Sequence, residues 1–155
     1  MRRFDLRSLR FGDAAEVWRR VPVEVDPFVY GGLDYEVPEG SVDVLLTAAR
    51  VGGNVTLSAE FETEVIGPCQ RCLGDADVTV EAQGIEYVCH GEWEREEEDA
   101  EGYVTSSILD VGGWARDLIA EELAPQLLCR EDCRGLCSVC GADLNVEPEH
   151  RHDEP

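Results

Sequence analysis

Six cysteines and two histidines stand at spacings suited to holding metal ions. Cys69 and Cys72 form a Cys-x2-Cys pair, Cys129 and Cys133 a Cys-x3-Cys pair, and Cys137 and Cys140 a second Cys-x2-Cys pair. His150 and His152 follow as His-x-His. Soft thiolates and imidazoles in short pairs favour tetrahedral zinc over hard cations. Counting ligands in fours gives one partition, with Cys69, Cys72, Cys129 and Cys133 as a four-thiolate site and Cys137, Cys140, His150 and His152 as a second. Two rivals stay open: a single site of Cys129, Cys133, Cys137 and Cys140, or a ribbon joining Cys69 and Cys72 to Cys137 and Cys140. Four protein ligands leave no position for a substrate, so one or two zinc ions are expected in a structural role. The bland alternative is a set of free, oxidisable thiols. A structural site contributes on the order of 10 kcal/mol of apparent binding free energy, ample to order the stretch after Cys129, which has few apolar residues of its own. Cys89 stands apart, in phase with Ile85 and Tyr87, and reads as a small buried hydrophobe; His90 reads as a surface histidine.

The metal reading depends on the compartment. Met1-Arg2-Arg3 runs into Phe4-Asp5-Leu6 instead of the apolar run of about 7 to 15 residues of a secretory leader. No stretch approaches the roughly 20 apolar residues of a membrane span. The expected location is the cytoplasm, where clustered cysteines mean metal or redox chemistry rather than disulfides.

The elements that must position these ligands are mostly strands. Val42, Val44, Leu46 and Ala48 alternate with partners on the other face, and Gly52-Gly53 supplies a tight hairpin. On the return, Val55, Leu57, Ala59, Phe61, Thr63 and Val65 alternate with Thr56, Ser58, Glu60, Glu62 and Glu64, a period of two with one buried face. Cys69 and Cys72 then sit at a hairpin tip, where thiolates project toward one ion. A third strand begins at Val78, Val80 and Ala82, but the apolar phase slips to Ile85, Tyr87 and Cys89 with Gly84 at the slip, the pattern of a β-bulge. Val21, Val23 and Val25 make an earlier strand, and Phe4, Leu6 and Leu9 a weaker one. Asp110 is an N-cap for a helix with its stripe at Val111, Trp114, Ala115, Leu118, Ile119 and Leu123, ended by Pro125. The expected fold is α+β: a twisted antiparallel sheet of about four to six strands curling toward a barrel, one packed helix near residues 111–124, and a zinc-ribbon-like C-terminal tail. Residues 1–128 form the α+β domain and residues 129–155 the zinc-ordered tail packed on it.

The 155 residues suit one compact domain with a small appendage, and 43% hydrophobic content sets wholesale disorder aside. Charge excludes more. Thirty-four acidic residues face 13 basic ones, all arginine, for a net charge of −21. Without lysine there is no P-loop, Schiff base or other lysine chemistry. Six of the arginines (Arg2, Arg3, Arg7, Arg10, Arg19 and Arg20) lie in the first 20 residues against Asp5, Asp13 and Glu16. That segment sums to +3 and leaves −24 for the rest. A phosphate-coating surface is therefore excluded for the body, and any RNA-facing role falls to those six arginines, with Arg71, Arg130 and Arg134 beside the cysteine turns. Arg71 and Arg134 read equally as structural donors. The acidic run over residues 92–101 reads as a solvated loop. No nucleophile elbow, triad order or glycine-rich phosphate loop occurs.

Pro68-Cys69-Gln70-Arg71-Cys72-Leu73, the run from Leu128 to Asn145 containing Cys-x3-Cys-x-Gly-Leu-Cys-x2-Cys-Gly, and the opening Phe4-Asp5-Leu6-Arg7 together resemble the YceD family of large ribosomal RNA subunit accumulation proteins. The resemblance covers most of the chain. Ser138 stands where a proline is frequent in the family, and His150 and His152 stand where Cys-x-Cys is common, an exchange zinc accepts. Cysteines vary among family members, which implies that metal stabilises the fold rather than performing the shared function. The resemblance implies a cytoplasmic, bacterial, non-enzymatic ribosome-biogenesis factor supporting accumulation of large-subunit (23S) ribosomal RNA. The implied partner is that RNA or a basic large-subunit ribosomal protein, with neither membrane nor small-molecule substrate. The competing class is a redox- or zinc-responsive interaction module whose thiolates release metal on oxidation.

Overall fold

The computed structural model describes residues 1–11, 13, 15–88 and 102–152. Cys89, His90 and the acidic run over 92–101 lie outside the described residues. Among the described residues, strands run β1 Phe4–Asp5, β2 Glu16–Glu24, β3 Phe28–Tyr30, β4 Leu33–Tyr35, β5 Ser41–Val51, β6 Asn54–Pro68, β7 Asp75–Val88, β8 Val104–Thr105 and β9 Ile108–Leu109, followed by helix α1 Val111–Glu122. The main sheet is antiparallel with strand order β2-β5-β6-β7; β1-β9-β8 and β3-β4 form two small sheets. The protein is α+β, as the hydrophobic periodicities imply.

The β5–β6 hairpin turns at Gly52-Gly53, and Gly52 alone of the two takes a positive φ, +65°. Val44, Leu46, Leu57, Ala59 and Val65 are fully buried on one face. Against that face lies α1, with Val111, Trp114, Ala115, Leu118 and Ile119 inward. Asp110 caps the helix, its carboxylate accepting the Gly113 amide at 3.1 Å. The Leu123 amide closes the last turn on the Ile119 carbonyl.

Two expectations are corrected. The sheet does not close as a barrel: β2 and β7 are its edges, and α1 touches both, lying across the opening where further strands would be needed. Nor does β7 carry a bulge. Its pairing with β6 holds one register from Pro68↔Asp75 to Val55↔Val88. Ile85 and Tyr87 point to solvent, while Gly84, Glu86 and Val88 continue the inward phase. Gly84 is there because a Cβ would stand 2.5 Å from Leu118 Cδ2; the helix occupies the space that an apolar side chain would fill.

The small β3–β4 hairpin braces the far end of β6. Tyr35 is buried and donates its hydroxyl to the Pro68 carbonyl at 2.9 Å, and Glu36 and Ile66 exchange backbone bonds. Pro68 immediately precedes Cys69, so the long β6–β7 arm is fixed just where it turns.

Candidate metal centres

The tip of the β6–β7 arm is a tight turn. The Cys69 amide donates to the Gly74 carbonyl at 2.7 Å and the Leu73 amide to the Cys69 carbonyl at 2.9 Å, which points Cys69 and Cys72 the same way. The segment after α1 is tied to this turn by the Gln70 amide, which donates to the Leu127 carbonyl at 2.9 Å. Arg71 completes the tie, its guanidinium donating to the Cys133 carbonyl at 3.1 Å and to Gln126 Oε1 at 3.3 Å. Cys129 and Cys133 are thereby brought over the tip. The Cys69–Cys133 and Cys72–Cys129 sulfur pairs are each 3.7 Å apart, and all four sulfurs lie within 4.8 Å of one another. A tetrahedral zinc with sulfur at about 2.3 Å requires edges of about 3.8 Å, so the set fits. Cys69 and Cys133 are buried and Cys129 is exposed.

The second set is local. Gly135 takes φ +74° where a Cβ would come within 3.0 Å of the Arg71 carbonyl, and that close approach lets Leu136 donate to the same carbonyl at 3.2 Å. A short loop follows, pinned by Cys137 N–H to the Ala142 carbonyl and Gly141 N–H to the Cys137 carbonyl, both at 2.8 Å. Leu136↔Asp143 is an isolated bridge rather than a ribbon strand pair. The chain then returns through a turn over Asp143–Glu147, and the His150 amide bonds the Glu147 carbonyl at 3.0 Å. Cys137 Sγ to His152 Nε2, Cys140 Sγ to His150 Nε2, and the two Nε2 atoms to each other are all 3.2 Å. Tetrahedral zinc with two sulfurs and two imidazole nitrogens needs edges of about 3.3 to 3.8 Å, which a few tenths of an ångström of relaxation supplies. Of the three groupings open from spacing, the candidate ligand atoms cluster as the two sets of four.

The family model for the large ribosomal RNA subunit accumulation protein YceD matches residues 57–155, a span containing all eight candidate ligand residues. The chain belongs to the YceD family. An uncharacterized protein of Mycobacterium leprae is 37% identical over 125 residues, covering 78% of this chain and 52% of the relative. Uncharacterized proteins of Mycobacterium bovis and Mycobacterium tuberculosis are each 31% identical over 116 residues, covering 73% of this chain and 56% of the relative. The chain spans about half the length of the curated relatives it matches. No solved structure matches it.

In this YceD-family chain the sulfurs differ in proton affinity. Burial pushes the Cys69 thiol up, but the amides of Cys72, Cys129 and Arg71 outweigh it and bring it down to about 6. Cys137 falls to about 6 through the amides of Cys140 and Val139, with His152 adding to them. Cys129, although an exposed residue, is pushed up to about 12 by local desolvation of its sulfur among the neighbouring thiols and by sharing hydrogen bonds with Cys133 and Cys72. Each set thus contains one sulfur whose proton is held more weakly than usual, and metal entry at such thiol sets releases protons.

Two supporting residues carry no motif signal of their own. Glu147 Oε2 lies 3.3 Å from His150 Nδ1; a carboxylate there holds the proton on Nδ1 and leaves the Nε2 lone pair for a metal. Its place three residues before His150 is the trace sequence reading had available. Asn145 donates to Asp143 Oδ1 at 2.8 Å and to Cys133 Sγ at 3.5 Å, joining the two sets. The arginines are dispersed. Arg2 pairs with Asp26 and Arg7 with Asp5, while Arg19 and Arg20 are successive residues of β2 and face opposite sides of the sheet. Arg130 bonds Asn145, and Arg134 donates to the Pro148 carbonyl at 3.1 Å. No helix among the described residues is long and apolar enough to cross a membrane.

Proposed function

We propose that this protein is a non-enzymatic, cytoplasmic ribosome-biogenesis factor that supports accumulation and processing of large-subunit (23S) ribosomal RNA. In this reading two structural zinc ions, one on Cys69, Cys72, Cys129 and Cys133 and one on Cys137, Cys140, His150 and His152, order a tail over residues 129–155 on an α+β domain over 1–128. The observation that carries it is the family match over residues 57–155, which takes in the sheet arm and both ligand sets together. Closed sets of four ligands suit a stabilising ion and leave no position for substrate.

The client is large-subunit RNA, met by Arg2, Arg3, Arg7, Arg10, Arg19 and Arg20, or a basic large-subunit ribosomal protein. A net charge of −21 favours the basic protein. Removing the gene should lower mature large-subunit rRNA relative to the small; an unchanged ratio refutes the role. Metal analysis should give close to two zinc ions per chain, and none refutes the metal reading. A second reading, a redox-responsive module, is favoured by the exposure of Cys129 and Cys140; zinc content unaltered by mild peroxide removes it.

A further inference from the structure

Among the described residues no element packs on the outer face of the main sheet, opposite the helix, and that face is unevenly composed. At one end two registered rows cross all four strands: Trp18, Thr47, Ser58 and Ile85, and beside them Glu16, Ala49, Thr56 and Tyr87. Only Glu16, at the β2 edge, is charged. Trp18, Ile85 and Tyr87 are 63%, 58% and 70% exposed, with Trp18 on β2 about 14 Å across the sheet from Ile85 and Tyr87 on β7 at the usual strand spacing. In a chain of net charge −21, a nearly uncharged stretch with two bare aromatic rings is an anchor surface, since Trp and Tyr dominate interface energetics.

Along β6 and β7 the same face turns acidic. Glu60, Glu62, Glu64 and Glu81 are exposed, and no cation among the described residues pairs with them. Glu62 and Glu81 are directly opposed, an arrangement that costs stability until a cation lies between them. The track reaches Ile66 and Asp77, which with Asp34, Glu36 and Asp75 line a groove of about 560 Å³. From Thr56 to Ile66 it is about 33 Å long at strand rise, room for roughly ten residues of extended chain.

We infer that this face docks a basic, amphipathic polypeptide segment, its apolar side chains on Trp18, Ile85 and Tyr87 and its arginines or lysines along Glu60, Glu62, Glu64 and Glu81. The carboxylates decide the occupant, because they repel the phosphates of a nucleic acid that the aromatic rings alone could stack. The inference rests on the ribosome-assembly reading only for the setting in which such a client is met; the surface stands on its own geometry.

The test uses the full zinc-loaded chain and a fluorescein-labelled 14-residue peptide, three leucines followed by alternating arginine and serine, with a glutamate-for-arginine peptide and a single-stranded RNA oligonucleotide as controls. Fluorescence anisotropy should show binding of the arginine peptide alone. The pair Trp18→Ser and Tyr87→Ser should weaken it at least tenfold with the salt dependence unchanged, and the pair Glu62→Gln and Glu81→Gln at least tenfold with the salt dependence flattened. Equal affinity of the wild type and both double variants, each still holding its zinc, overturns the inference, as does preferential binding of the RNA. In cells lacking the gene, restoration of rRNA by the Trp18→Ser, Tyr87→Ser variant equal to that by the wild type also overturns it while sparing the ribosome reading. An rRNA ratio indifferent to the gene sinks that reading and leaves the peptide measurement to decide the docking.

Discussion

Asn145 donates its side-chain amide to the Cys133 sulfur at 3.5 Å, while its carbonyl oxygen accepts the Arg134 amide and the Arg130 guanidinium at 2.8 Å each. The residue belongs in sequence to the loop between Cys140 and His150, yet it serves a ligand of the other set. Its side chain thus ties the loop between Cys140 and His150 to the first set.

Replacing it with alanine removes that tie without touching a ligand. Asn145→Ala should retain both ions and cost about 1 to 3 kcal/mol, since it takes the donor from the Cys133 sulfur and the acceptor from the Arg134 amide. Limited proteolysis should cut within residues 134–149 faster in the variant than in the wild type.

The two centres should fail asymmetrically. Cys137→Ser should lower the zinc content from two to one and leave the sheet and helix intact, because among the described residues the hydrogen bonds of Cys137 stay within residues 137–152. Cys69→Ser strikes a fully buried side chain in the hydrophobic core and should lower the melting temperature as well as the metal content. Native mass spectrometry and thermal melts of the two variants compare them directly.

Glu147→Gln should weaken the second centre about tenfold, the low end of the usual effect of an outer carboxylate on a ligating histidine, because Glu147 is largely exposed. Competition with a chromophoric chelator should show one weakened ion and one unchanged.

Gly84→Ala places a methyl group 2.5 Å from Leu118 Cδ2 and should destabilise by about 1 to 3 kcal/mol, the usual cost of overpacking. Leu118→Ala alone should cost about 2 to 5 kcal/mol. Urea unfolding of both single variants and the double should show that Gly84→Ala costs less once Leu118 is shortened; additive losses would deny the contact.

Tyr103 supplies the pH dependence. Burial, with the Asp117 carboxylate that accepts its hydroxyl at 3.0 Å, raises it from 10 to about 12. A folded-state value above the unfolded one stabilises while the group is protonated. Its contribution is therefore full below pH 10 and is lost as pH rises toward 12. The stability gap between the wild type and Tyr103→Phe should shrink over that interval in denaturant titrations.

What was legible in the sequence followed from period. The β5–β6 hairpin and the helical stripe from Val111 to Ile119 bury the faces their apolar spacing marks. Beyond Ala82 that logic misled, because Ile85 and Tyr87 are apolar but outward, and the inward Gly84 is explained only by Leu118, 34 positions away in the chain. Strands of two or three residues such as β1, β8 and β9 are too short to show a period at all. Spacing likewise revealed cysteine pairs but not which pairs join; that depends on how far the β6–β7 arm carries Cys69 and Cys72 toward the segment after the helix. Asn145 and Glu147 act through contacts that exist only once the tail has turned back.

The separation of ligands along the chain sets an order of assembly. Cys137 and His152 are 15 positions apart, a short loop whose closure costs little entropy. Cys72 and Cys129 are 57 apart, and Cys69 and Cys133 are 64 apart. That centre meets only after the sheet arm and the helix have found each other, so it carries the loop-closure entropy of long-range contacts. The second centre is thus expected to close first and locally, and the first to act as a latch that shuts last, once the chain around it has folded.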